Sequence, residues 1–130
     1  MMKAFLVIAL GALLFTACKK EEGDGGKAEI RGTVEEQRYN TSGNPAGDPY
    51  PLADQRVYII YGDGQYYDDD TRTGPDGKYR FPWLRRGNYR VYTISECDDY
   101  ANCTEGIYET AVIDGRRDFV SLPTITVRNY

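Results

Sequence analysis

The stretch Thr73-Gly74-Pro75-Asp76-Gly77-Lys78-Tyr79-Arg80-Phe81-Pro82-Trp83-Leu84-Arg85-Arg86-Gly87-Asn88-Tyr89-Arg90-Val91 decides the fold. Pro75 presets φ for a turn and Asp76-Gly77 favours a tight return, so Thr73 and Lys78 begin to face each other across a hairpin. Beyond the turn Tyr79 and Phe81 point to one side and Arg80 to the other, the alternation of a strand with one buried face. Pro82 removes a ladder donor near the strand's end, and Leu84 plugs the end of the core. Gly87 then permits the sharp return that puts Tyr89 and Val91 back inside.

The same period of two extends in both directions. Ala28, Ile30, Gly32 and Val34 share the inner face of a first strand, with Glu29, Arg31, Thr33 and Glu35 on its wet face. Leu52 and Val57-Tyr58-Ile59-Ile60-Tyr61 give a second strand, with Val57, Ile59 and Tyr61 on one face. Gly62-Asp63-Gly64 turns into a polar third strand through Tyr66, Tyr67, Asp69 and Thr71, whose acidic residues suit a sheet edge. After the Lys78–Phe81 strand, a fifth runs from Asn88 to Ser95 with bulk on both faces, which places it centrally. A sixth follows at Ile107–Ile113 and a seventh at Phe119–Val127, where Pro123 marks a bulge or a move between sheets. Arg38–Pro51, rich in Gly, Pro, Asn and Ser, has no period and reads as a long loop, functional or disordered, and as the alternative element through which a protein or glycan would be bound. Seven short strands without helical periodicity predict an all-β, seven-stranded Greek-key β-sandwich.

The Asp76-Gly77 turn, Tyr79 and Phe81 one residue apart, Leu84, and then Gly87, Tyr89 and Val91 closely resemble the signature of carboxypeptidase regulatory-like domains. That group is similar to the transthyretin-like, or prealbumin-like, fold and to the Cna-B-type domains of surface proteins. Gly32, Val34 and Pro51-Leu52 ahead of Val57 carry the resemblance from about Ile30 to Val127. It implies a scaffold for accessory, stalk, adhesion or ligand-binding modules, and a scaffold does not fix a function. Some Cna-B relatives cross-link a Lys of the first strand to an Asn of the last, and Lys27 and Asn129 occupy comparable places. Lys27, however, shares the wet-face parity of Glu29 and Arg31, which argues against such a bond.

The N-terminus carries an address. Met1-Met2-Lys3, the apolar run Ala4–Phe15 and Thr16-Ala17 form an export signal over residues 1–17, too short to span a bilayer. Phe15-Thr16-Ala17-Cys18 resembles the bacterial lipobox, which implies a covalent lipid on Cys18 and anchorage to a membrane. Lys19-Lys20-Glu21-Glu22-Gly23-Asp24 resembles the Lys-then-acidic tag of Bacteroidetes-type lipoproteins. It implies an outer-membrane, cell-surface location, with the periplasmic face as the alternative. Gly23, Gly25 and Gly26 make residues 18–26 a flexible tether and leave 27–130 as one domain.

Composition limits the chemistry. The 130-residue chain contains no histidine, which removes Ser-His-Asp and Cys-His machinery, histidine-ligated zinc and imidazole bases together. A net charge of −4 is a poor match to nucleic acid. Cys97 and Cys103 form an even pair in an oxidising compartment and predict a disulfide. Asp68-Asp69-Asp70 could offer oxygen ligands to calcium, but neighbouring strand residues point to opposite faces, so a solvated edge is preferred and no metal site is assigned. Arg85-Arg86 beside Trp83 reads as a small basic rim that serves solubility.

Twelve tyrosines are a surplus for this length. Tyr58 and Tyr92, with Ile94, fall on faces opposite the core and form a candidate platform for a protein or glycan ligand. The plainer reading is that they cover the second side of a sheet, which tyrosine does well. The expected function is that of a non-enzymatic, membrane-anchored interaction module needing no cofactor beyond the lipid. A structural component of a larger envelope complex comes second, and a carboxylate-based hydrolase third, because so small a domain leaves little room for a deep cleft.

Overall fold

The computed structural model describes residues 21–98 and 102–130. The expected export signal of residues 1–17, Cys18 and Lys19-Lys20 lie outside the described residues, as does the tip of the cysteine loop. The described residues form nine strands and no helix: β1 (Asp24–Arg38), β2 (Tyr50–Pro51), β3 (Arg56–Tyr61), β4 (Asp69–Arg72), β5 (Lys78–Leu84), β6 (Gly87–Glu96), β7 (Thr104–Ile113), β8 (Phe119–Ser121) and β9 (Ile125–Asn129).

These strands make two sheets. One runs in the order β4-β3-β6-β7. The other is organised by the 15-residue β1, which β5 and then β2 flank along one edge, antiparallel, while β8 and then β9 flank the other edge, parallel. Ile30 thus stands between Phe81 and Val120, and Glu35 between Pro51 and Thr126. The inner faces of both sheets share one core, in which Ala28, Ile30, Val34, Tyr79, Phe81, Ile125 and Val127 meet Val57, Ile59, Tyr89, Val91, Ala111 and Ile113. Each of these residues occupies an inward position of its strand's alternation, the pattern expected when hydrophobic burial selects one face of a pleat. Leu84 is buried at the end of that core.

Several expectations need correction. The seventh strand is two, because Pro123 interrupts it: β8 pairs with Glu29–Arg31 and β9 resumes against Val34–Arg38. The two-residue β2, which the sequence reading placed in a loop, brings the total to nine strands where seven were expected. The Arg38–Pro51 segment is correspondingly tied down. Tyr39 bridges Pro45, and the Asn40 side-chain oxygen accepts bonds from the amides of Ser42 (3.0 Å) and Asn44 (2.9 Å). Tyr66 and Tyr67 precede β4 and lie in the connection from β3. At the N-terminal end, Asp24–Gly26 belong to β1 and not to a free tether, and the Gly23 amide donates to the Tyr89 hydroxyl at 2.9 Å. Lys27 and Asn129 are far apart, since Asn129 pairs with Arg38, 11 residues further along β1, or roughly 35 Å at strand rise.

One charged residue is buried on the outer side of β1. Glu29 is 5% exposed, and its carboxylate pairs with Arg31 and, at 3.5 Å, with Arg80. Two guanidinium partners offset the desolvation that a lone buried carboxylate would suffer.

Candidate functional site

The outer face of the four-stranded sheet carries a row of tyrosines. Outward parity on β3, β6 and β7 selects Tyr58, Tyr92 and Tyr108, and antiparallel register sets Tyr58 opposite Tyr92 and Tyr92 opposite Tyr108. The Tyr58 and Tyr92 rings stack with centroids 4.9 Å apart at 16°, and those of Tyr92 and Tyr108 at 4.7 Å and 26°. Tyr67, delivered by the β3–β4 connection, tilts onto Tyr58 at 4.8 Å and 55°. The result is a four-ring ladder roughly 15 Å across, in line with the spacing of strands in a sheet.

Its ends are open and its middle is half covered. Tyr67 and Tyr108 are 51% and 53% exposed, whereas Tyr58 and Tyr92 are intermediate. Stacking occupies the faces of the central rings, so the ladder shows the solvent mainly ring edges and hydroxyl tips. The Tyr92 hydroxyl is pushed above its ordinary pKa by desolvation first and then by the neighbouring Tyr108, Tyr58 and Tyr67. It is therefore a neutral donor and acceptor at physiological pH.

A missing side chain on β7 allows this geometry. Gly106 sits opposite Ile94, and a Cβ at position 106 would lie 2.8 Å from Tyr108 Cε2. The Tyr108 ring thus occupies space that any other residue would claim. Ile94, expected as part of the platform, is 39% exposed beside it. On the opposite flank Asp70 of β4 is paired with Tyr58 across the ladder and accepts an ion pair from Arg56 at 3.1 Å. Tyr58 and Tyr92 are thus brought together as the sequence placed them. Tyr67 and Tyr108, half of the surface, were missed.

The remaining candidates are used structurally. Asp68 accepts the Tyr61 amide at 2.7 Å and the Asp69 carboxylate accepts the Asp70 amide at 2.8 Å, while Asp70 is held by Arg56. Among the described residues no group of three or more His, Cys, Asp or Glu is placed to hold a metal ion. Cys97 and Cys103 are bonded, with Cα atoms 5.6 Å apart, and the Cys97 amide donates to the Cys103 carbonyl at 3.2 Å. The bond closes the β6–β7 hairpin one residue beyond its last pair, Glu96 with Thr104.

No protein-family model matches the chain, and no curated protein matches it. Two solved structures align with part of the chain. One is a Pseudomonas aeruginosa protein provisionally assigned as carbohydrate binding, with a TM-score of 0.47 and 14% identity over 82% of this chain and 91% of the other. The second is an (S)-allantoin synthase, with a TM-score of 0.41 and 16% identity, aligned over 79% of this chain and 42% of the other. Neither likeness bears on what this chain binds.

Proposed function

We propose that the chain is a non-enzymatic recognition module, anchored by lipid on Cys18 at the outer membrane and cell surface, whose binding surface is the Tyr67-Tyr58-Tyr92-Tyr108 ladder. The observation that carries this reading is the ladder itself: four aromatic side chains in unbroken contact on a solvent-facing sheet. Tyrosine is enriched at interfaces because it offers rigid contact area with a polar tip and little conformational entropy to lose. The stacked rings are already ordered in the free protein, which lowers the entropic cost of docking.

The preferred partner is a protein. Edges and hydroxyls flanked by the Arg56–Asp70 pair suit a mixed polar and apolar surface better than they suit a sugar, which packs on open ring faces. A glycan is the second reading, favoured by the outward face of Tyr108 on the edge strand β7, which no further ring among the described residues covers. The absence of catalysis is supported by the lack of histidine and by carboxylates committed elsewhere, Glu29 to two arginines and Asp70 to Arg56. The Greek-key, transthyretin-like relationship belongs to the same proposal and rests on the Thr73–Val91 signature.

The test is the double substitution Tyr58→Ser/Tyr92→Ser, assayed by pull-down and glycan array against the unmodified chain. Loss of capture with an unchanged far-ultraviolet circular dichroism spectrum is the expected result. Undiminished binding by a folded double variant would remove the ladder from the site. Hydrolysis of any arrayed glycan, abolished by changing a single carboxylate, would overturn the non-enzymatic reading.

A further inference from the structure

At the end of the molecule where β1 begins, the strand leaves its ladder. Asp24 and Ala28 both register with Leu84, so Gly25, Gly26 and Lys27 form a bulge between two pairings to one residue. Gly26 crosses β5 so closely that a Cβ there would fall 1.9 Å from the Leu84 carbonyl oxygen. The bulge walls a cleft of about 440 Å³, and the facing walls are Arg85, Arg86 and Arg116.

Among the described residues the cleft is bordered by four cationic ones, Lys27, Arg85, Arg86 and Arg116, and by no acidic one. Six of the eight arginines outside the cleft, Arg31, Arg38, Arg56, Arg72, Arg80 and Arg128, each pair with a carboxylate, and Arg90 donates to the Gly64 carbonyl. Among the described residues none of Lys27, Arg85, Arg86 and Arg116 does so. Arg85 is held in place by carbonyls, Nε donating to Asp24 O at 2.6 Å and Nη1 to Glu21 O at 3.3 Å, which fix its guanidinium without cancelling its charge. On the adjoining segments the Asp24 carboxylate accepts from the Tyr61 hydroxyl, that of Glu22 from the Asn88 amide and that of Asp118 from the Gly115 amide. In a chain of net charge −4, four cationic residues are gathered around one cleft, and none of them is in an ion pair among the described residues.

We infer that this cleft binds a phosphate group. A carboxylate is satisfied by one guanidinium fork, whereas four cationic residues around one cleft match a group that carries up to two charges on three acceptor oxygens. The phosphate belongs either to a soluble phosphorylated ligand or to a lipid headgroup. The inference is independent of the tyrosine ladder, which lies on the outer face of the other sheet.

Trp83 provides the readout. It is the chain's sole tryptophan, two residues before Arg85, and its left-handed backbone (φ +61°) accompanies a ring that is 65% exposed. Full-length protein in uncharged detergent is titrated calorimetrically with inorganic phosphate. The same protein, reconstituted in phosphatidylcholine vesicles with and without phosphatidylglycerol, is followed by tryptophan emission.

Saturable phosphate binding without a phosphatidylglycerol effect assigns a soluble ligand, and a phosphatidylglycerol-dependent blue shift of Trp83 assigns a headgroup. In either case Arg86→Gln and Arg116→Gln each weaken the response about tenfold, the effect of losing one charge-assisted bond. Lys78→Gln, which removes the same charge from an exposed residue outside the cleft, leaves it unchanged. Absence of both responses overturns the inference, as does equal weakening by Lys78→Gln, which would reduce the effect to net charge. Neither result touches the ladder, whose test uses Tyr58 and Tyr92.

Discussion

Replacing Tyr79 by Phe removes one oxygen from the core and leaves every carbon in place. The Tyr79 side chain is 3% exposed, and its hydroxyl has no hydrogen-bond partner among the described residues. A buried hydroxyl without a partner costs about 1–3 kcal/mol relative to its hydrated state. Against this stands the void left by one oxygen, about 0.3 kcal/mol at the usual cost per unit of cavity volume. Tyr79→Phe should therefore stabilise the protein by about 1 kcal/mol or more at pH 7.

The same reasoning sets a pH dependence. Burial, and secondarily Glu109, pushes the Tyr79 hydroxyl up from 10.0 to about 12. A group whose folded pKa is raised contributes stability that is complete below its unfolded pKa and lost as pH climbs through the folded one. Wild-type stability should thus decline between pH 10 and pH 12 through this residue, by about 1.4 kcal/mol at pH 11. The variant escapes that decline, so the gap between the two proteins widens by the same amount. Tyr61 and Tyr89, also raised by desolvation, are common to both proteins and cancel in the difference. Urea unfolding followed by circular dichroism at pH 7 and pH 11 measures both terms, provided that the m-values agree. A lower midpoint for the variant at pH 7 would show that the hydroxyl is bonded after all. A gap that fails to widen at pH 11 would show that Tyr79 reaches solvent in the native state.

Three further sets of substitutions test the core, the buried Glu29 pairing and the ladder. Phe81→Ala, at a 3% exposed core position, should cost about 3–5 kcal/mol. Arg80→Ala should cost less than about 1 kcal/mol because Arg31 still holds Glu29, and only the double change Arg31→Ala/Arg80→Ala, which strands the buried carboxylate, should reach about 3 kcal/mol in the same urea assay. Gly106→Val should drive Tyr108 off Tyr92, which is read as a loss of near-ultraviolet dichroism from the stacked rings with the far-ultraviolet spectrum preserved. An unchanged near-ultraviolet spectrum would disprove the stacking.

The inner faces were legible because alternation is a local property: Val57 and Ile59, Tyr79 and Phe81, and Tyr89 and Val91 are each two residues apart and all are buried. Strand partners are a tertiary property, which is why β2 and the separation of β8 from β9 were not foreseen; both depend on the long β1 offering ladder positions to distant segments. Tyr108 was within reach of the sequence. An antiparallel hairpin pairs residues at equal distances from its closure, and counting back five positions on each side of the Cys97–Cys103 bond arrives at Tyr92 and Tyr108. Tyr67 left no such trace, since the connection that carries it has no period and is positioned by tertiary contact with Tyr58. The basic cleft was half visible in Arg85-Arg86, but Lys27 and Arg116 come from segments that only the folded chain assembles.

The long first strand also determines how the molecule would bear a load. A pull on the residues ahead of Asp24 acts along the axis of β1, and β1 is bonded to β5 and β2 on one side and to β8 and β9 on the other. Ladder bonds lie across the strand, so tension applied along it shears many of them together and cannot peel them off singly. Were the chain anchored through its N-terminus as proposed, the domain would act as a rivet: the force would be shared over most of one sheet, while the Tyr67-Tyr58-Tyr92-Tyr108 face on the other sheet would stay outside the direct line of strain.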